Sequence, residues 1–211
     1  MTALLEDRGV AEPIQSYYEA PVFRRQVDWT PAGRRAGIPE CCGPAETRTF
    51  GMSFRMARGR EELHAAMRLV HDSYVRLGFI RPNRHGLHVI PYHVLPTTDV
   101  LVAVRRGEVV ATASVVMDSP HGLPLECLYQ EEVEAFRSRG FRIAEVSCLA
   151  DKRDNDSGNA SCLFRLMALV AQRSGRAGVN LHMIVVHPRH AKFYEHFLGF
   201  IKIGKEKPYE K

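Results

Sequence analysis

A carboxylate set inside an apolar run is the first feature of this sequence that suggests chemistry. Residues 141–150 read Phe-Arg-Ile-Ala-Glu-Val-Ser-Cys-Leu-Ala, a pattern expected of a central strand, with Glu145 among apolar neighbours. An ionised carboxylate in such a place costs several kcal/mol unless it is paired or lines a cavity. Burial also raises a carboxyl pKa toward the range useful for a general base. An arginine on a neighbouring element is the structural alternative for satisfying Glu145. Ser147 and Cys148 share the strand and become candidate substrate contacts. No His or Asn is placed to activate Cys148 as a nucleophile, so its thiol reads as structural.

Two further clusters carry charge toward a ligand. Residues 151–160, Asp-Lys-Arg-Asp-Asn-Asp-Ser-Gly-Asn-Ala, lead into a helix, and backbone amides at a helix start make a natural phosphate seat. Lys152, Arg153, Ser157, Gly158 and Asn159 are the candidate residues there. Upstream, one helix holds Arg68, Asp72, Ser73, Tyr74 and Arg76. Arg68 and Tyr74 are candidates to hold an acceptor substrate, its carboxylate above all, while Arg76 reads as part of a solvated face.

The elements that must position these residues follow from periodicity and punctuation. A strand is expected over 47–57. A helix is expected over 60–77, where Leu63, Met67, Val70, Tyr74 and Leu77 recur at spacings of three and four. Gly78 and Pro82 end it, and a long loop runs from 81 to 98. Strands at 99–104 and 109–117 are joined by Arg105-Arg106-Gly107-Glu108, a hairpin signal. A short helix over 130–138 precedes the strand with Glu145. A helix over 159–174, a strand over 179–186, a helix over 189–198 and a strand over 200–204 complete the chain. This order predicts an α/β (α+β) fold, a mixed twisted sheet with helices on both faces.

The first 46 residues stand apart. Residues 1–50 contain five of the twelve prolines, and they carry six basic and seven acidic side chains. We expect 1–46 to be an extended arm, partly disordered or wrapped over a domain spanning 47–211. The whole chain has a formal charge of +5, which is compatible with an acidic partner but does not demand nucleic acid. Five cysteines without a CxxC pair or zinc-type spacing argue against a disulfide scaffold and a metal site, and favour a reducing, cytoplasmic setting. No segment has the length and apolarity of a membrane span, and the amino terminus lacks the pattern of a signal peptide.

The closing segment, Val-Val-His-Pro-Arg-His-Ala-Lys-Phe-Tyr-Glu-His-Phe-Leu-Gly-Phe at 185–200, resembles the final helix and strand of GNAT acyltransferases. The resemblance implies that Tyr194 lies beside the thioester sulfur and protonates the leaving thiolate. The pyrophosphate loop usual in that superfamily has two close glycines, whereas this chain has only Gly158. Such a loop suits the single phosphodiester of a phosphopantetheine arm better than the diphosphate of coenzyme A.

Several separated pieces together resemble the FeeM-type long-chain N-acyl amino acid synthases. They are Arg68-Leu69-Val70-His71-Asp72-Ser73-Tyr74-Val75, Leu95-Pro96-Thr97-Thr98, Asp118-Ser119 with Gly122-Leu123-Pro124, Ala144-Glu145-Val146-Ser147-Cys148-Leu149-Ala150, and the stretch from His187 to Phe200. The resemblance covers residues 50–205. It implies a GNAT fold, a mostly antiparallel sheet and no permanently bound cofactor. The donor it implies is a fatty acyl group on acyl carrier protein, and the acceptor is the α-amine of an amino acid, tyrosine first. Glu145 then becomes the base, and the backbone amides of Leu149 and Ala150 hold the carbonyl oxygen. Lys152, Arg153, Arg165 and Arg173 form a basic face for the acidic carrier. Acyl-homoserine-lactone synthases share the strand glutamate but follow it with an arginine where this chain has Cys148. The rival readings are a coenzyme A-dependent N-acetyltransferase, a homoserine-lactone synthase, and a non-catalytic module that binds carrier protein.

Overall fold

The computed structural model describes residues 18–26, 47–49, 51–152 and 159–209. Ten strands and four α-helices follow in the order β1 (Tyr18–Ala20), β2 (Val22–Gln26), β3 (Thr47–Thr49), β4 (Met52–Met56), α1 (Gly59–Arg76), β5 (Thr98–Arg105), β6 (Glu108–Met117), α2 (Glu126–Arg137), β7 (Ile143–Asp151), α3 (Asn159–Arg176), β8 (Leu181–Val185), α4 (Pro188–Leu198), β9 (Ile201–Lys202) and β10 (Lys207–Tyr209). Eight strands form one sheet in the order β3-β4-β5-β6-β7-β8-β2-β9, and β1 pairs with β10 separately. Among the described residues, only the β7–β8 pairing is parallel. The expected mixed, mostly antiparallel sheet is therefore present.

Alternation along the strands sorts the side chains onto two covered faces. Ala111, Ala113, Val115, Ala144 and Val146 pack under α3 and α4 with Leu166, Val170, Tyr194 and Leu198. On the opposite face, Val116, Ile143 and Met183 meet Tyr129 and Val133 of α2. Val100, Val102 and Val109 meet Leu69, Val70 and Tyr74 of α1 on that same side. The strands are apolar in both phases because both faces are buried.

Local chemistry explains most boundaries. Arg106 (φ 52) and Gly107 (φ 83) are both left-handed, which fits a two-residue hairpin turn between β5 and β6. Gly199 leaves α4 at φ 66, and the Phe200 N–H returns to the Tyr194 carbonyl at 3.0 Å.

Three expectations change. Residues 47–57 do not form one strand. Gly51, at φ 71, reverses the chain so that β3 and β4 pair antiparallel. The helix expected over 130–138 is present, but a further turn from Glu126 precedes it, set apart by a kink at Tyr129 (φ −123, ψ 35). The proposed boundary at residue 46 does not hold for residues 18–26, because β2 lies inside the main sheet, antiparallel to β8 along its whole length. Val22 and Phe23 are fully buried, so this piece of the supposed arm is core. The rest of residues 1–46 lies outside the described residues.

His182 on β8 offers a test of this packing. It is 2% exposed, and its Nε2 lies 2.6 Å from Ser174 Oγ. The Ser174 hydroxyl donates to the Val170 carbonyl at 2.8 Å, so the imidazole N–H donates to Ser174 Oγ and the ring is neutral. Burial, with a smaller push from Arg25, lowers its pKa from 6.5 to about 4. The unfolded chain therefore binds a proton below pH 6.5 that the folded chain refuses. Stability is complete above pH 6.5 and falls by about 1.4 kcal/mol per pH unit as pH drops toward 4. Urea unfolding across that window is expected to show a shallower pH slope for His182→Gln than for the wild type, by about one proton.

Candidate active site

The site begins where a strand pair comes apart. β7 and β8 hold register only from Ile143↔Leu181 to Glu145↔Met183. Beyond that point β8 stays with β2, and β7 stays with β6. The wedge between them is a cavity of about 320 Å³, bordered by Val146, Ser147, Cys148, Leu149 and Asp151 of β7 and by Ile184 and Val185 of β8. α4 closes it with Phe193 and Tyr194, α3 with Leu163 and Leu166, and the end of α1 with Tyr74. Its size falls at the lower end of the range typical of small-molecule sites, roughly 300–1,000 Å³.

A bulge in β7 shapes the wall. Thr112 opposes Ala150 and Ser114 opposes Ser147, so Ala113 alone faces Cys148 and Leu149. Cys148 takes φ 50, the left-handed region that few non-glycine residues enter. Side-chain alternation is reset there. Glu145 and Ile143 point to the α1/α2 face. Cys148 and Ala150 pack on that face as well, while Leu149 turns to the α3/α4 face. The Lys152 N–H donates to the Val110 carbonyl at 2.8 Å, and this fixes the ladder phase. Alternation then turns the Ala150 N–H toward β6 rather than into the wedge. Of the two amides expected to hold an oxyanion, only that of Leu149 lies inside the bulge, off the regular register.

Glu145 is 2% exposed, and its Oε2 accepts the Leu125 N–H at 2.7 Å. Leu125 precedes the first turn of α2, which a kink at Tyr129 sets apart from the rest of the helix, so the carboxylate meets a backbone donor at that turn. No side chain caps α2 from its own amino end, and Glu145 takes that part from another strand. Its charge also reaches Tyr92 and Cys127. Burial first, and Glu145 second, push both the phenol and the thiol up from their ordinary pKa values. Tyr92 and His93 belong to a 3-10 turn, Pro91–Val94, in the long loop. His93 Nδ1 accepts the Ile90 N–H at 3.2 Å, so Nε2–H donates to Ser114 Oγ at 3.0 Å, and burial lowers the ring's pKa. Ser114 stands opposite Ser147, whose own Oγ is buried with no hydrogen-bond partner. An unmatched buried hydroxyl costs about 1–3 kcal/mol, a cost that a bound ligand can remove.

Tyr194 stands on the opposite side of β7. It is buried, and burial reinforced by the charge of Asp151 raises its pKa well above the ordinary phenol value. Its ring packs edge-on to Phe193 and Phe200 at 5.7 and 6.0 Å. Phe79 stacks on His187 at 5.2 Å and meets Tyr74 at 5.8 Å, which ties the end of α1 to the start of α4 at the rim. His187 Nδ1 caps α4 by accepting the Arg189 N–H at 3.2 Å.

The expected residues thus divide. Glu145, Tyr194, Ser147, Cys148, Leu149, Ala150 and Tyr74 all border one cavity. Arg68 does not, because it lies on the exposed side of α1. Arg153, Ser157 and Gly158 lie outside the described residues, and Asn159 opens α3. The expected basic face is partly spent within the fold. Lys152 pairs with Glu108, and Arg173 binds Asp99 at 2.9 Å, fastening α3 to β5. Sequence reasoning missed Asp151, Tyr92, His93 and the Leu125 amide. The loop at 81–98 has no periodicity to mark its polar residues, and a backbone donor leaves no trace in a sequence. His187 could have been read as a cap from the Pro188 that follows it.

The family described as "N-acyl amino acid synthase FeeM" matches residues 65–211. No curated protein matches the chain significantly. Among solved structures, that of FeeM, an N-acyl amino acid synthase from uncultured soil microbes, is 24% identical and covers 78% of this chain and 83% of its own, with a TM-score of 0.63. An N-myristoyltransferase from Saccharomyces cerevisiae with bound myristoyl-CoA and inhibitors is 14% identical, with a TM-score of 0.51, and covers 90% of this chain and 47% of its own. A GCN5-related N-acetyltransferase from Kribbella flavida is 15% identical, with a TM-score of 0.45, and covers 90% of this chain and 56% of its own.

The bulge predicts an unusual mutational order at Cys148. Left-handed backbone costs a non-glycine residue about 1–2 kcal/mol, and more when the side chain is β-branched. Cys148→Gly is expected to stay within about 1 kcal/mol of the wild type in denaturant unfolding, with strain relief offsetting lost packing. Cys148→Val is expected to lose about 2–4 kcal/mol. Equal stability of the two variants would mean that β7 is not bulged there.

Proposed function

Since the chain belongs to the FeeM family of N-acyl amino acid synthases, an acyltransferase family, we propose that it moves a long-chain fatty acyl group from acyl carrier protein to the α-amine of an amino acid. Tyrosine is the first acceptor to test. The observation that carries this reading is the parted strand pair, with a carboxylate behind it at Glu145 and a protonated phenol in front of it at Tyr194.

The reaction needs three things from these groups. Glu145, directly or through one water, takes a proton from the acceptor's ammonium. The freed lone pair attacks the thioester carbonyl carbon, and the Leu149 N–H in the bulge steadies the oxygen as it becomes negative. The C–S bond then breaks, and the thiolate takes the Tyr194 proton. The phenolate recovers a proton from the new amide nitrogen. Amide and free thiol leave, and Glu145 gives its proton to water. The raised pKa keeps the phenol protonated at rest, so it has a proton to give, although a weaker acid makes the transfer to the thiolate itself more uphill.

Ser147 is the proposed acceptor contact. Its hydroxyl lies two residues from Glu145 and borders the cavity, so a change of rotamer would bring it to the amine. Tyr74 and Cys148 supply the wall on the same face. The carrier protein, rather than coenzyme A, is favoured by the single glycine in the 151–160 sequence, which offers a seat for one phosphate. The myristoyl thioester held by the N-myristoyltransferase structure supports long-chain occupancy of this fold.

Expression in a bacterium followed by mass spectrometry of the lipid extract is expected to reveal an N-acyl amino acid and to name its acceptor. Accumulation of N-acetylated amines instead would favour an acetyltransferase. With purified acyl carrier protein, Glu145→Gln is expected to lower turnover by about 10²–10⁴-fold, the usual worth of a general base. The amide oxygen of Gln can still accept the Leu125 N–H, so the fold should persist. Tyr194→Phe is expected to lose at least about 10²-fold with unchanged stability. Undiminished turnover in either variant removes that residue from its proposed role.

A further inference from the structure

The outer surface of α3 and α4 carries aromatic rings that the sheet does not use. Phe197 is 65% exposed and Phe164 is 37% exposed. Phe193 lies between them, with ring centroids 6.1 Å from Phe164 and 5.4 Å from Phe197. Large aromatic side chains left exposed together are a feature that interaction surfaces share. Phe193 also borders the cavity and touches Tyr194 at 5.7 Å. Phe193 thus joins the exposed rings to the wall of the cavity.

The polar neighbours of these rings are mostly basic. On α4, Lys192 and His196 are exposed along with Phe197, and Glu195 is the one acidic residue of that helix. Exposed aromatic side chains with basic residues beside them suit the interface of an anionic bilayer. The rings enter the headgroup region, and the cations meet the lipid phosphates. Charge-based docking of an acidic carrier fits the patch less well, since Lys152 and Arg173 are already paired with Glu108 and Asp99. Two partly exposed phenylalanines also fall far short of the ~800 Å² per partner that a stable protein interface buries.

We infer that this aromatic face of α3 and α4 docks the protein on an anionic lipid surface. On the functional reading above, the product is a long-chain amphiphile, and a docked face joined to the cavity wall at Phe193 delivers it to a bilayer rather than to water.

The test uses the full chain and vesicles made of equal parts phosphatidylglycerol and phosphatidylcholine. The wild-type protein should sediment with them at low salt and less so at high salt. It should bind pure phosphatidylcholine weakly. The double variant Phe164→Ser/Phe197→Ser should lose about tenfold in binding to the anionic vesicles, with its unfolding midpoint unchanged. Neither residue borders the cavity, so turnover without vesicles should also be unchanged. A wild type that stays in the supernatant overturns the inference, as does a double variant that binds like the wild type. A double variant that loses turnover with acyl carrier protein in the absence of vesicles reassigns the face to the carrier. A wild-type dimer that the substitutions convert to a monomer reassigns it to a second copy. Vesicle binding does not depend on turnover, so this inference and the proposed activity can fail separately.

Discussion

Everything at the site depends on the parting of β7 from β8. Three residue pairs hold the two strands together, and then each follows a different neighbour. β8 remains antiparallel to β2 across five pairs, while β7 remains with β6 and absorbs an extra residue at Cys148–Leu149. A sheet that stayed zipped would satisfy more backbone groups but would leave no opening between its faces. The parted strands instead leave a cavity bordered by the bulged segment of β7. In low-dielectric surroundings a single oriented N–H does more for a developing oxyanion than it could in water. β2 matters here although none of its residues borders the cavity. By holding β8 on its far side, it allows β8 to leave β7.

The same strand separates the two groups proposed as base and acid. Glu145 and Tyr194 lie on opposite faces of the sheet, and each is tuned by its own surroundings. The amino end of α2 supports the Glu145 anion through the Leu125 N–H. Burial and Asp151 oppose the Tyr194 anion. Both groups border the wedge, and this is what makes them the proposed base and acid. The two groups stand on separate helical layers, so an acceptor and a thioester can approach from different sides and meet at the bulge.

Much of this was legible in the sequence. The three-and-four spacing of Leu63 through Leu77 placed α1 within one residue at each end. The Arg-Arg-Gly-Glu turn set the hairpin, and Gly199 marked the end of α4. Glu145 was visible because a carboxylate contradicts its neighbours. The failures share a cause, which is dependence on distant partners. β2 has only two apolar residues, and its pairing with residues 181–185 lies far along the chain. The first turn of α2 has no capping side chain to read, because the cap comes from β7. The bulge is centred on a cysteine, and nothing in that residue type announces a positive φ. Arg68 was overvalued because helical spacing gives a face but does not say which face meets the cavity.

The central claim is that a thioester occupies the wedge with its sulfur at Tyr194 and its carbonyl at the bulge. The most direct measurement is a crystal structure with an acyl-pantetheine thioether that cannot be cleaved. The account predicts the sulfur within hydrogen-bond reach of the Tyr194 hydroxyl and the acyl oxygen facing the Leu149 N–H. The chain would pass between β7 and β8. An analogue bound elsewhere, with β7 and β8 paired beyond Glu145, would contradict it.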